Sequence, residues 1–147
     1  MTAIHAKTTM LELENRNAAI LAAHIKAEIA FDIEGTLATL TDDCLFEDMP
    51  SGMRYTGKAE VRRYYSQWWS AFGNVPSGSR RHVPAGDSLI VETRFVGTHR
   101  GVFEGMAPTG RPIDVPVAIF IGFRDGLMSG ERFYYDRATL LSQIGTR

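Results

Sequence analysis

The hydrophobic period changes along this chain of 147 residues, and that change limits the folds open to it. Up to Phe72 the apolar residues recur mainly at helical spacing, interrupted by one short run over 44–49 that reads as a strand. From Ser79 to Tyr135 they alternate, or run on without a break, as strands do. Helices set apart from strands argue an α+β architecture and exclude a doubly wound sheet, in which the two would alternate. The expected shape is a curved antiparallel sheet wrapped over three N-terminal helices, with a pocket between the layers.

The local signals supply provisional boundaries. Residues 1–8 read as a flexible tail ahead of one domain over 9–147. Thr9 with Glu12 makes a capping-box pattern and predicts a first helix over 10–31. Leu13, Ile20, Leu21, His24, Ile25, Glu28 and Phe31 fall on or near one stripe of it. Asp32 caps a second helix over 33–40. A third, over 58–72, carries Val61, Tyr64, Tyr65, Trp68 and Phe72 at helical spacing, with Gly73, Asn74 and Pro76 as its stop. Strands are predicted over 79–84, 88–103, 115–123 and 127–135, and Asp136 caps a last short helix.

Charge and cysteine usage narrow the partners. The chain has 16 basic and 17 acidic residues, net charge −1, and no basic stripe beyond Arg80, Arg81 and His82. That balance speaks against a nucleic-acid partner and favours a neutral or hydrophobic small molecule. The longest apolar stretches fall far short of a membrane span. A single cysteine, Cys44, allows no intrachain disulfide, sits in an apolar run and reads as core; a cytoplasmic protein is expected. The strand over 115–123 is apolar on both faces, with Ala118 and Phe120 on the second. Helices cover only one sheet face, so a homodimer through the outer face is the simplest cover.

Several motifs fail on inspection. The stretch from Gly52 to Ala59 resembles a phosphate-binding loop, but Ala59 stands where the magnesium-binding hydroxyl is needed. No two of His5, His24, His82 and His99 stand at ligand spacing on one element, and there is no Cys-x-x-Cys. The reading therefore includes no metal and no cofactor.

Two stretches carry a family likeness. The first runs from Asp42 through Glu47 and Asp48 to Gly52, followed by Gly57 and by Val61 to Tyr65. It resembles the ketosteroid isomerase segment that bears that family's catalytic aspartate. The second runs from Gly97-Thr98-His99 through Pro108-Thr109-Gly110 and Arg124-Asp125-Gly126 to Tyr135-Asp136. It resembles the SnoaL-like polyketide cyclases. Both belong to the NTF2-like superfamily, so the likeness implies a cone-shaped α+β barrel with a deep pocket. It places Asp48 at the isomerase general base, His24 at the oxyanion-hole tyrosine and Tyr65 at a supporting tyrosine. The isomerase oxyanion-hole aspartate would fall at Ile119, the cyclase acid–base aspartate at Phe133 and a cyclase pocket histidine again at Ile119. Those three roles are lost here.

Read physically, Asp48 near a strand end and facing an apolar pocket would be a base made stronger by desolvation. The bland alternative is an exposed acid before a turn. His24 is either a core histidine bonded to a neighbour or a donor to a developing oxyanion. Period-two alternation puts Glu131 on the face of Phe133 and Tyr135, where it is a pocket acid unless it pairs with Arg132. His99 shares a face with Thr93 and Phe95, either pointing inward or bracing a strand bent at Gly97 and Gly101. Tyr55, Tyr65, Trp68, Phe72, Ile119, Phe133 and Tyr135 would then line a site for a flat, weakly polar ligand.

The function expected is a cofactor-independent acid–base enzyme on a small aromatic or polycyclic substrate. Isomerase, cyclase, dehydratase and C–C lyase chemistry all begin with proton abstraction by Asp48, with His24, Glu131 or His99 serving the other end. The alternative is a non-catalytic carrier or protein-interaction module on the same fold. Hydrolysis around Glu92 and Arg94 ranks behind both, because neither has an evident second acid.

Overall fold

The computed structural model describes residues 2–73 and 76–145. The elements are α1 (Thr2–Ile29), α2 (Ile33–Ala38), β1 (Leu40–Asp48), β2 (Met53–Thr56), α3 (Gly57–Phe72), β3 (Pro76–Ala85), β4 (Ser88–Thr98), β5 (Pro112–Arg124), β6 (Leu127–Tyr135) and α4 (Arg137–Gln143). Helix α1 begins at Thr2, ahead of the cap read at Thr9. Asp32 and Asp136 cap as expected, accepting from the N–H groups of Gly35 and Thr139. Helix α3 stops at Gly73, whose φ of 86° suits glycine and whose N–H returns to the Trp69 carbonyl. Asn74, read as part of that stop, lies outside the described residues.

The six strands form one curved sheet in the order β2-β1-β6-β5-β4-β3, and its edge strands β2 and β3 do not pair. The sheet is not wholly antiparallel as expected, because β1 runs parallel to β6. The short strand β2, not anticipated from the sequence, folds back on the outer edge of β1 and leaves its inner edge for β6. Helix α3 lies across the concave face with its predicted stripe buried. There Tyr64 stacks on Phe133, ring centroids 5.3 Å apart, and meets Phe46 edge-on. Trp68 packs on Phe95 and Phe103. Cys44 is fully buried, as the core reading required.

Strand β4 ends at Thr98, earlier than the alternation suggested. The cause is backbone against backbone. A Cβ at Gly97 would sit 2.6 Å from the Phe72 carbonyl oxygen, and one at Gly101 would sit 2.2 Å from that of Ser70. The N–H groups of Arg100 and Gly101 both reach the Ala71 carbonyl. Glycine lets the chain press onto the end of α3, and residues 99–111 then leave the sheet as a loop over one end of the concave face. Among the described residues no helix is long and apolar enough to cross a membrane.

Candidate active site

The C-terminal end of β1 delivers Asp48 into the concave face, and the turn at Pro50-Ser51-Gly52 follows at once, with Gly52 at φ 75°. Asp48 is 7% exposed. Its Oδ2 accepts a hydrogen bond of 2.9 Å from the Tyr135 hydroxyl. Its Oδ1 has a long contact of 3.4 Å from the Ser51 N–H, which leaves it the freer oxygen. Burial pushes the carboxyl above the usual carboxylate range, and the hydrogen bonds from Tyr135 and Ser51 offset part of that rise. The Tyr135 phenol is itself held far above its ordinary value by burial and by the neighbouring carboxylate, so it acts as a donor and not as an acid.

This carboxylate borders a cavity of about 560 Å³ whose walls include Tyr55, Gln67, Trp68, Phe103 and Arg137. Tyr55 donates to the Gln67 amide oxygen at 3.1 Å. The loop after β4 closes one side. Phe103 and Met106 exchange backbone hydrogen bonds there, and the intervening Glu104 pairs with Arg137 at the start of α4. The Nε–H of Arg137 is buried and has no hydrogen-bond partner among the described residues. Gln67, Glu104 and Arg137 were not singled out from the sequence. No local pattern marks them, because only the folding back of residues 99–111 brings them to Asp48.

His24 and Glu131 meet each other, but not in this cavity. His24 is fully buried. Its Nε2 lies 2.8 Å from Glu28, 3.3 Å from Glu131 and 3.0 Å from the Tyr65 hydroxyl. Its Nδ1 lies 2.7 Å from the Thr39 hydroxyl. Thr39 spends its one hydrogen on the Thr36 carbonyl, so Nδ1 carries the hydrogen of that contact. Burial disfavours the imidazolium, but the charges and hydrogen bonds of Glu28 and Glu131 outweigh it and push His24 up to about 10. Glu131 is likewise raised, chiefly by burial. The pairing with Arg132 that the sequence left open does not form; Arg132 lies instead over the Phe120 and Tyr134 rings on the outer face.

Strand register explains the separation. Phe46 sits opposite Glu131 and Asp48 opposite Phe133. On the inner face the two carboxylates take one diagonal of that square. Phe46 and Phe133 take the other, and their rings meet at 5.8 Å. An aromatic wall, thickened by Tyr64, therefore divides Asp48 from the histidine cluster.

His99 lies elsewhere again. It is fully buried beside the Phe72 ring, and its Nδ1 accepts from the N–H of Thr109. It fastens the loop after β4 to the body of the protein. Of the aromatic residues expected around a ligand, Tyr55 and Trp68 line the cavity, and Tyr135 reaches it through Asp48. Tyr65, Phe72, Ile119 and Phe133 are packed in the core and are not among the residues lining this cavity.

The profile of the SnoaL-like polyketide cyclase family matches residues 23–144. Solved structures share the fold at low identity. A protein of Jannaschia sp. CCS1, assigned as a SnoaL-like polyketide cyclase, is 18% identical with a TM-score of 0.81, over 90% of this chain and 94% of its own. A Catenulispora acidiphila protein of ketosteroid isomerase-like fold, in complex with trimethylamine, is 23% identical with a TM-score of 0.72, over 87% and 93%. AclR of Streptomyces galilaeus, assigned as a hydroxylase, is 18% identical with a TM-score of 0.73, over 92% and 97%. No curated protein matches the sequence.

Proposed function

The chain belongs to the SnoaL-like polyketide cyclase family, and from that premise we propose that it is a cofactor-independent acid–base enzyme with Asp48 as its general base. Its substrate in this reading is a small aromatic or polycyclic molecule with an acidic C–H or O–H beside a carbonyl. One observation carries the proposal: a nearly buried carboxylate, raised in proton affinity, borders a roomy cavity lined by aromatic rings. A base of that kind takes a proton more readily than an exposed aspartate. Asp48 Oδ1 receives the proton, and the electron pair left behind moves onto the carbonyl oxygen. Arg137, a wall of the same cavity, supplies a guanidinium N–H for that oxygen. Isomerisation, cyclisation, dehydration and retro-aldol cleavage diverge only after this step. His24, Glu131 and His99 serve the scaffold in this account.

Tyr135→Phe tests the assignment. The phenol hydrogen bond favours the Asp48 carboxylate, so its loss raises the proton affinity of Asp48 further. The acid limb of the kcat/KM profile is expected to move to higher pH. A limb that stays in place removes Asp48 from the reaction.

The same reading makes the outer sheet face a contact between two copies, in a cytoplasmic protein whose single cysteine stays reduced. Phe120 and Tyr134 are 38% and 41% exposed there and pack edge to face at 5.5 Å. Phe120→Glu is expected to convert a wild-type dimer into a monomer in sedimentation velocity. A wild type that sediments as a monomer at micromolar concentration contradicts the contact.

A further inference from the structure

We propose that His24, Glu28 and Glu131, with the Tyr65 hydroxyl as a fourth ligand, form a buried site for one divalent transition-metal ion of the zinc type, separate from the Asp48 cavity. The inference does not depend on the role given to Asp48.

The Nε2 of His24 has one bonding position, yet three oxygens from three different elements close on it at 2.8, 3.0 and 3.3 Å. Helix α1 supplies Glu28, α3 supplies Tyr65 and β6 supplies Glu131. A hydrogen on Nε2 satisfies one carboxylate oxygen well, and the Tyr65 hydroxyl brings one hydrogen of its own; a metal ion set among them uses all four atoms. The other ring nitrogen is already committed, since its hydrogen goes to Thr39. That bond orients the ring and leaves Nε2 to offer its lone pair, which is the arrangement found around metal-bound histidines.

Geometry and charge agree. The His24, Glu28 and Glu131 ligand atoms all lie within 4.8 Å of one another. Tetrahedral zinc with bonds of about 2.0–2.2 Å needs ligand atoms about 3.3–3.5 Å apart, so the oxygens nearest Nε2 move slightly out and any pair near the 4.8 Å limit moves in. A neutral imidazole and two carboxylates carry two negative charges, which a divalent ion balances. One nitrogen and three oxygens in so tight a cluster suit zinc better than calcium, which takes six to eight oxygens. On binding, the metal replaces the proton on Nε2, and that proton goes to solvent.

The test uses purified protein, stripped with chelator, equilibrated with zinc sulfate and freed of loose metal by gel filtration. Elemental analysis is expected to find about one zinc per chain in the wild type and in a His82→Ala surface control, and under about a tenth of that in Glu131→Gln. Zinc should raise the wild-type melting temperature by at least about 5 °C and leave Glu131→Gln unmoved. Cobalt loaded in its place should give the visible bands of a four-coordinate ion. If Glu131→Gln does not fold, Glu28→Gln gives the same readings. A wild type that retains no zinc, or a Glu131→Gln protein that retains as much as the wild type, overturns the site and leaves the cluster as an ion pair held by a proton.

Discussion

Asp48→Asn is expected to lower kcat/KM by about 10²–10⁴ while the protein melts at or above the wild-type temperature at neutral pH. The loss follows because the amide cannot take a proton, although its oxygen can still accept from Tyr135 and keep the local structure. The stability half follows from linkage. The Asp48 carboxyl is raised above its ordinary 3.8, mainly by burial. The folded chain therefore binds its proton more tightly than the unfolded chain does. Its contribution to stability is complete below the unfolded value and is lost as pH rises through the folded one. At pH 7 the buried carboxylate is thus a cost to the fold, and an amide in its place relieves it. Calorimetry beside turnover checks both halves. A variant that loses activity only because it melts early contradicts the account, as does one that keeps wild-type activity.

The opposite pattern is expected on the other side of the aromatic wall. His24→Leu, measured in chelator, should cost about 3–5 kcal/mol, since it leaves Glu28 and Glu131 buried together without their cation. That corresponds to a fall of roughly 10 °C in Tm for a chain of this size. Adding Glu131→Gln to His24→Leu should recover part of the loss, because one of the two stranded charges goes with it. The pH dependence has a definite sign. His24 is raised from 6.5 to about 10, the net of a burial penalty and the larger pull of Glu28 and Glu131. Arg80 on β3 acts in the other direction on Glu131, favouring its charged form. The stabilisation by His24 is complete below about pH 6.5 and declines as pH rises through about 10. Wild-type melting should therefore fall across that window, and His24→Leu should lose that part of the slope. A His24→Leu protein as stable as the wild type would mean that the cluster contributes nothing to the fold.

The fold was legible where one periodicity ran long enough to leave no alternative. The α3 stripe from Val61 to Phe72, the caps at Asp32 and Asp136, and the faces of β5 and β6 follow from spacing alone. The alternation that set Glu131, Phe133 and Tyr135 on one face holds in the structure. Strand β2 escaped notice because only Tyr55 of its four residues is buried, so it has no pattern to display. The site was legible in part. Burial of Asp48, His24, His99 and Glu131 was within reach, but their grouping was not. That grouping depends on register, which pairs Phe46 with Glu131 and Asp48 with Phe133, and a slip of one residue would have turned these side chains to the other face. Register between strands so distant in sequence leaves no trace in local spacing. Arg137 and Glu104 were hidden for the same reason, since their meeting depends on how residues 99–111 cross the end of α3.

The most direct measurement of the central claim is mass spectrometry of small molecules. Wild type and Asp48→Asn are each incubated with metabolite extract of the source organism, without added cofactor, and the extracts are compared feature by feature. The account predicts an aromatic or polycyclic feature consumed by the wild type and spared by Asp48→Asn, with a product of the same mass or one lighter by water or a small carbon fragment. A feature retained equally by both proteins, with none consumed by either, would contradict it and make the chain a carrier built on the same cavity.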